Sequence, residues 1–294
     1  MKSNRRLRVR ARKRRILLLF LMSACLLLLL ACCLKIRQIY QYDDGFLRNR
    51  KGRGENYSAE APHKIEDDAI ADKLDELSEE YPEVKEIRKH MEEYPPELLK
   101  SLCNNPEMLE FVQGYLTSDG SVTGGLTEEE IRENIPLLIQ WDKRWGYASY
   151  GDSNIGLSGC APTCLSMVIT GLTKDKTATP YAVADYAMKE GYYMEGSGTA
   201  WSLMTDGAGA FGIEGRELPL DKNTVYLELE AGHPIICSVR PGDFTTEGHF
   251  IVLAEIRDGK IAVNDPNSRG RSSVLWEYDI LEPQIKNLWA FSIQ

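Results

Sequence analysis

The residue in this chain best placed to do chemistry is a cysteine at what reads as the first turn of a helix. It lies in Ser158-Gly159-Cys160-Ala161-Pro162-Thr163-Cys164-Leu165-Ser166-Met167-Val168. A thiol attacks as thiolate, and the start of a helix favours negative charge. Two later segments, Gly248-His249-Phe250 and Val263-Asn264-Asp265-Pro266, add an imidazole and a carboxylate. The order Cys160, His249, Asp265 supplies a nucleophile, a base and a group to orient the base from separate parts of the fold.

Competing residues have simpler roles. His63 and His90 lie in polar stretches and His233 in the turn Ala231-Gly232-His233-Pro234, whereas His249 enters a strand directly after a glycine. Asp258 serves a hairpin turn and Asp243 a loop, which favours Asp265 as orienter; Asn267, whose amide carbonyl can also hold an imidazole, stays open. Cys164, one helical turn past Cys160, and Cys237, inside Ile235-Ile236-Cys237-Ser238-Val239, read as core. No CxxC or His/Cys cluster indicates a metal. Four cysteines outside the N-terminal apolar span are too few for a disulfide framework, with a single bridge between Cys103 and Cys237 left open.

The elements that must position these residues are legible in outline. Residues 64–135 read as helices. Ile70, Leu74 and Leu77 share one face, Val84, Ile87 and Met91 another; Pro96 and Pro106 open further turns, and Thr127-Glu128-Glu129-Glu130 is a capping box. Packing of these faces on the domain that follows is the simplest expectation. Ser158 is placed to cap the Cys160 helix, Leu165, Val168, Ile169 and Leu172 to form its buried stripe, and Gly171 to stop it. Helices are expected over 181–189 and from about 199 to 207, and strands over 234–239, 250–256, 260–263, 273–276 and 288–293. Helices followed by antiparallel strands imply an α+β domain.

Strand register sets a test. His249, Ile251 and Leu253 share one face, because side chains alternate. A strict two-residue turn at Asp258-Gly259 pairs Arg257 with Lys260 and hence Asp265 with Val252, on the face away from His249. The two can meet only through a one-residue shift. A three-residue loop with Gly259 in the left-handed conformation would supply one, as would a bulge or bend at Asn264-Asp265. The bend beside Pro266 is the expectation, since proline cannot donate to the ladder.

Charge is distributed unevenly. Of 35 Lys and Arg, eleven fall in residues 1–37, which hold no acid; from 38 onward 24 basic face 44 acidic residues, a net of −20. Such a body repels phosphate and argues against nucleic acid as a partner. Residues 16–34 are nineteen uncharged residues, within the range of about 17–25 that spans a bilayer. Nine basic residues precede them, so the positive-inside rule leaves residues 1–15 in the cytoplasm and the acidic bulk outside the cell. A single-pass signal-anchor in the cell membrane is the expectation; a cleaved signal peptide or lipidation at Cys32 are the alternatives. Residues 35–63, polar and glycine-punctuated, read as a flexible stalk.

Gln140-Trp141-Asp142, Gly159-Cys160-Ala161-Pro162-Thr163, Gly248-His249-Phe250 and Asn264-Asp265-Pro266 together resemble the C39-like peptidases, papain-fold cysteine proteases. The resemblance covers about 135–294; with the apolar span 16–34 it makes the chain a membrane-anchored, bacterial member. It implies a papain-like peptidase domain over 136–294, with the Cys helix packed on an antiparallel sheet, preceded by the transmembrane helix and the helical region. It also implies that Cys160 is the nucleophile, His249 the base, Asp265 the orienter and Gln140 an oxyanion donor. An amide N–H there is worth about 3 kcal/mol in comparable enzymes. Ala161 departs from the family, which usually has Gly, and bears on substrate size.

The reading is an extracellular cysteine peptidase acting on peptide or protein substrates, with no cofactor and no metal, anchored in the lipid bilayer through residues 16–34. Family members that trim leader peptides work on the cytoplasmic side of a transporter, so that substrate is not carried over. A cell-envelope peptide amidase and a non-catalytic binding or scaffold module on a protease fold are the alternatives. The sequence gives no oligomeric state.

Overall fold

The computed structural model describes residues 59–294; the basic tail, the apolar span 16–34 and all but the end of the stalk lie outside the described residues. No helix among the described residues is long and apolar enough to cross a membrane.

Four helices come first: α1 (Ile70–Glu80), α2 (Val84–Lys89), α3 (Pro96–Asn104) and α4 (Leu109–Tyr115). Pro96 explains the start of α3 and Pro106 that of the 3-10 turn Pro106–Met108 leading into α4, since a missing N–H costs nothing at the first helical position. The expected faces are buried, Ile70 and Leu74 on α1 and Val84 and Ile87 on α2, together with Leu98, Leu102, Phe111 and Val112. They form one cluster with Ile139 and Trp141, so the helical region packs on its own chain. The contact is close at Phe111, whose ring stacks on Tyr147 at 4.4 Å. A Cβ on Gly156 would lie 2.4 Å from that ring, so only glycine admits it. Helix α5 (Glu128–Arg132) carries the expected capping box on Thr127.

The cysteine helix is α7 (Cys160–Thr173), preceded by the single turn α6 (Ile155–Ser158) and followed by α8 (Pro180–Lys189). Ser158 closes α6 and does not cap α7; the capping residue is Gly159, while Asn154 Oδ1 accepts from Leu157 N at 3.0 Å to cap α6. Residues 161–170 are buried all round, so α7 is a central helix with more than a stripe to hide. Gly171 does not stop it. The helix runs to Thr173 and ends at Lys174, left-handed at φ 60°. Gly171 instead lets the chain pass close by, since a Cβ there would meet Asn134 O at 2.3 Å.

Short hairpins β1 (Ser149–Tyr150) with β2 (Ser153–Asn154) and β3 (Tyr193–Met194) with β4 (Gly198–Thr199) flank these helices. The helix expected over 199–207 is replaced by two 3-10 turns, Trp201–Leu203 and Ala208–Phe211. The main sheet holds β5 (Ile213–Glu217), β6 (Ile235–Val239), β7 (His249–Arg257), β8 (Lys260–Asn264), β9 (Leu275–Trp276) and β10 (Ile285–Ile293), antiparallel in the order β5-β10-β6-β7-β8-β9. One face, with Ile236, Phe250, Val252 and Trp289, packs on α7, and α8 packs on α7 in turn. The other, with Cys237, Ile251, Leu253 and Val263, is covered by α9 (Lys222–Glu230) and α11 (Tyr278–Leu281); α10 (Arg269–Ser272) lies between β8 and β9. Burial on both faces is why β6 reads as an unbroken apolar run. A helix-first, sheet-after α+β arrangement of this kind fits a papain-like domain.

The register shift occurs, but not where proline predicts it. Asp258 (φ 52°) and Gly259 (φ 73°) form a strict two-residue turn with Arg257 opposite Lys260, the double positive φ of a type I′ hairpin. The pairing slips between Leu253 and Glu255, where Ala254 is left unopposed as a β-bulge. Beyond it Val252 faces Asn264, so the shifted register brings Asp265 level with Ile251, on the His249 side of the pleat.

Phe111→Ala should cost about 3–5 kcal/mol, as for other buried aromatic truncations. In thermal denaturation of a 38–294 fragment, a single transition at a lowered midpoint is expected. Two transitions, only one of them shifted, would show that the helical region folds apart from the sheet domain.

Candidate active site

Each of the predicted residues is delivered by an element end. Cys160 is the first residue of α7, partly exposed; His249 is the first residue of β7; Asp265 follows the last residue of β8. His249 is 7% exposed and Asp265 fully buried. Nε2 of His249 lies 2.7 Å from Asp265 Oδ1. Cys160 acts on the same imidazole, its sulfur helping to raise the histidine, and with Nε2 engaged by the carboxylate Nδ1 is the ring nitrogen left open. Cys160, His249 and Asp265, the residues expected to act together, are thus brought to one place.

Asp265 is held from three sides. Arg271 Nε donates to Oδ2 at 2.6 Å, Asn267 N to Oδ1 at 2.8 Å, and the Asp265 N–H donates to Ser272 Oγ at 2.8 Å. Arg271 is 2% exposed and also donates through Nη1 to Glu60 O at 3.4 Å. Sequence reasoning missed Arg271, whose only signal is an arginine in the short Ser-Arg-Gly-Arg-Ser run after the aspartate. Asn267, the alternative orienter, supports the site through its backbone, its carbonyl accepting from Asn105 Nδ2 at 2.5 Å and Trp141 Nε1 at 3.1 Å. The other candidates are engaged elsewhere: Asp243 accepts from Gln284 Nε2, and His233 pairs with Glu228.

Burial, the charge of Asp265 and two hydrogen bonds set the titration of His249. Burial alone pushes the imidazole down; the Asp265 carboxylate and the hydrogen bonds to Asp265 and Cys160 outweigh it and raise it to about 9. Burial pushes Asp265 up, and Arg271 and His249 overcome it, holding the carboxyl at about 2. The linkage signs are opposite. The raised histidine adds stability that is full below 6.5 and lost as pH rises through about 9. The depressed aspartate adds stability that is full above 3.8 and lost as pH falls through about 2.

Gln140 lies beside this couple, 3% exposed, its backbone N donating to Pro266 O at 2.8 Å. Its Nε2 donates to Gly156 O at 2.9 Å, which uses one of two amide hydrogens, and its Oε1 is buried without a partner. Reversing the amide would set Oε1 against the Gly156 carbonyl, so this orientation is the favoured one. Cys160, His249 and Gln140 line a groove of about 940 Å³. Phe244, Thr245 and Glu247 form part of its wall, and the helical region contributes Pro95, Glu97, Lys100 and Tyr115.

Cys103, Cys160, Cys164 and Cys237 are all free, so the Cys103–Cys237 bridge is not formed. Burial raises the thiols of Cys164 and Cys237 and pushes that of Cys103 up to about 11. Among the described residues no group of three or more His, Cys, Asp or Glu could hold a metal ion.

Arg271→Met leaves a buried carboxylate without its main counter-charge. A loss of about 3–5 kcal/mol near neutral pH is expected, as when one partner of a buried pair is removed. Its acid-unfolding midpoint should rise, because Asp265 then takes up its proton at higher pH. Urea titrations across the acid range read both effects; an unmoved acid limb would show that Arg271 is not what keeps Asp265 ionised.

No curated protein and no solved structure matches this chain. A family model does match, over residues 132–291, which takes in the segment of Gln140, the cysteine helix and the strands that bear His249 and Asp265. That span is more than half of the chain, and the protein belongs to the Peptidase_C39 like family.

Proposed function

We propose that this member is a cysteine peptidase working outside the cell from a membrane anchor. The observation that carries the reading is the buried Arg271–Asp265–His249 chain ending at the Cys160 sulfur on a helix start. An imidazolium and a helix N-terminus beside the sulfur both favour thiolate.

In the proposed reaction the Cys160 sulfur attacks a peptide carbonyl carbon, and the carbonyl π pair moves to oxygen. The backbone N–H of Cys160 and the second Nε2 hydrogen of Gln140 take up the oxyanion. His249 gives its proton to the leaving amine as the C–N bond breaks, leaving an acyl-thioester. Water, deprotonated by His249, then attacks the thioester and releases the acid and the thiol. Asp265 keeps the Nε2–H facing itself throughout, so that Nδ1 always serves the sulfur side.

Cys160→Ala should abolish peptide hydrolysis and labelling by an electrophilic thiol probe, while Cys164→Ala keeps most of both. Activity that survives in Cys160→Ala would remove the nucleophile assignment. A wild-type protein that takes no label would favour the scaffold reading, and release of ammonia in place of a peptide the amidase reading.

The anchor rests on residues 16–34 and the charge on either side of them. Protease added to intact cells should reach residues 38–294 and spare residues 1–15. A shielded large domain would overturn the topology, and a soluble mature form would replace the anchor by a cleaved signal peptide.

A further inference from the structure

Resting on that reading of Cys160, His249 and Asp265, we propose that Glu107 is a positioning residue for the His249–Asp265 couple, acting from the helical region that precedes the matched family span. The Glu107 side chain is 4% exposed. Its Oε1 accepts from Ser268 Oγ at 2.9 Å and Gly270 N at 3.0 Å, and its Oε2 from Arg269 N at 2.9 Å. One carboxylate therefore takes three hydrogen bonds from the turn that opens α10.

That turn is what fixes Asp265. Ser268 Oγ, which donates to Glu107, accepts from Arg271 N at 3.1 Å, and Ser268 O accepts from Ser272 Oγ at 2.7 Å. Arg271 and Ser272 in turn hold the side chain and the backbone of Asp265. The chain of hydrogen bonds thus runs from Glu107 through Ser268 to Arg271 and Ser272, then to Asp265 and His249. Asn105, two residues before Glu107, holds the same loop at the Asn267 carbonyl. Glu107 lies outside residues 132–291, so this support is supplied by the chain's own N-terminal region and not by the span the family shares.

The groups that face His249 directly are Asp265 and Cys160, with Arg271 facing Asp265 from behind. Glu107 is not among them, so an effect of Glu107→Ala on the titration of His249 that the uncharged Glu107→Gln reverses passes through the position of Asp265 and not through the charge of Glu107. This gives a readout that a merely structural role would not move.

The test is the pH profile of Cys160 alkylation by iodoacetamide in the full chain in detergent, which needs no substrate. Wild type should show an alkaline step near 9 as His249 loses its proton. Asp265→Asn should move that step toward 6.5, the ordinary value, and Glu107→Ala should move it part of the way. Glu107→Gln, which keeps one acceptor, should return it toward wild type. On a peptide that wild type cleaves, kcat of Glu107→Ala should fall roughly tenfold with KM little changed, short of the ~10²–10⁴ lost with an acid–base group itself. An unmoved step in folded Glu107→Ala overturns the proposal; if that variant does not fold, an unmoved step in Ser268→Ala does so. Wild type that shows the step yet cleaves no peptide would defeat the peptidase reading alone.

Discussion

The buried ion pair between Arg271 and Asp265 is the interaction on which the site depends. A carboxylate with no exposure is costly unless its charge is met, and at this depth a single partner left out costs more than the pair contributes. Arg271 meets one oxygen, and the other is then free to serve His249 and the Asn267 N–H. An ionised Asp265 in turn keeps the imidazole protonated in spite of its burial, and fixes which nitrogen faces the sulfur. The surrounding architecture supplies the depth: the central helix α7 on one side of the sheet, α9 and α11 on the other, and the helical region over the loop that follows β8.

That helical region is part of the site's construction and more than a spacer. It packs Phe111 against Gly156, contributes a wall of the groove, and grips the loop after Asp265 through Asn105 and Glu107. The last residues before it are tied in as well: the backbone of His63 exchanges two hydrogen bonds with the Asn104 side chain, and Glu60 O accepts from Arg271. The family span alone would leave the groove open on that side.

The residues that the sequence made legible are those whose type announces chemistry and whose neighbours announce a turn. Cys160 after Ser-Gly, His249 after Gly and Asp265 before Pro could be read for that reason, and so could the helix faces with regular spacing. Partners brought in by the fold could not. Glu107 and Arg271 are ordinary surface types until 160 residues of intervening chain bring Glu107 to within hydrogen-bonding reach of the α10 turn. Strand β5, Ile-Glu-Gly-Arg-Glu, buries only Ile213 and carries no alternation, so nothing marks it as an edge strand. Helix α9 left a signal that was not read: Asp221 accepts from Thr224 N at 2.8 Å, a cap visible in sequence, ahead of the buried pair Val225 and Leu229. The bulge could not be read, because residues 250–254 are apolar without a break. Only the packing shows that Ile251 and Leu253 are followed by Ile256 in the same apolar cluster, a change from odd to even positions that a regular strand forbids.

That change of phase at Ala254 makes the alignment of His249 and Asp265 a matter of counting. With a two-residue turn fixed at Asp258-Gly259, residues on β7 and β8 face one side together or apart according to whether the number of residues between them is odd or even. The unopposed residue shifts that number by one. The hairpin thus encodes the meeting of imidazole and carboxylate in its length as well as in its composition. A one-residue deletion from a paired position of β7 or β8, with the bulge kept, would leave both residues intact in the sequence and separate them in space. Among related chains, the parity of this interval, counted without unopposed residues, is therefore a criterion for an assembled site that residue identity alone does not provide.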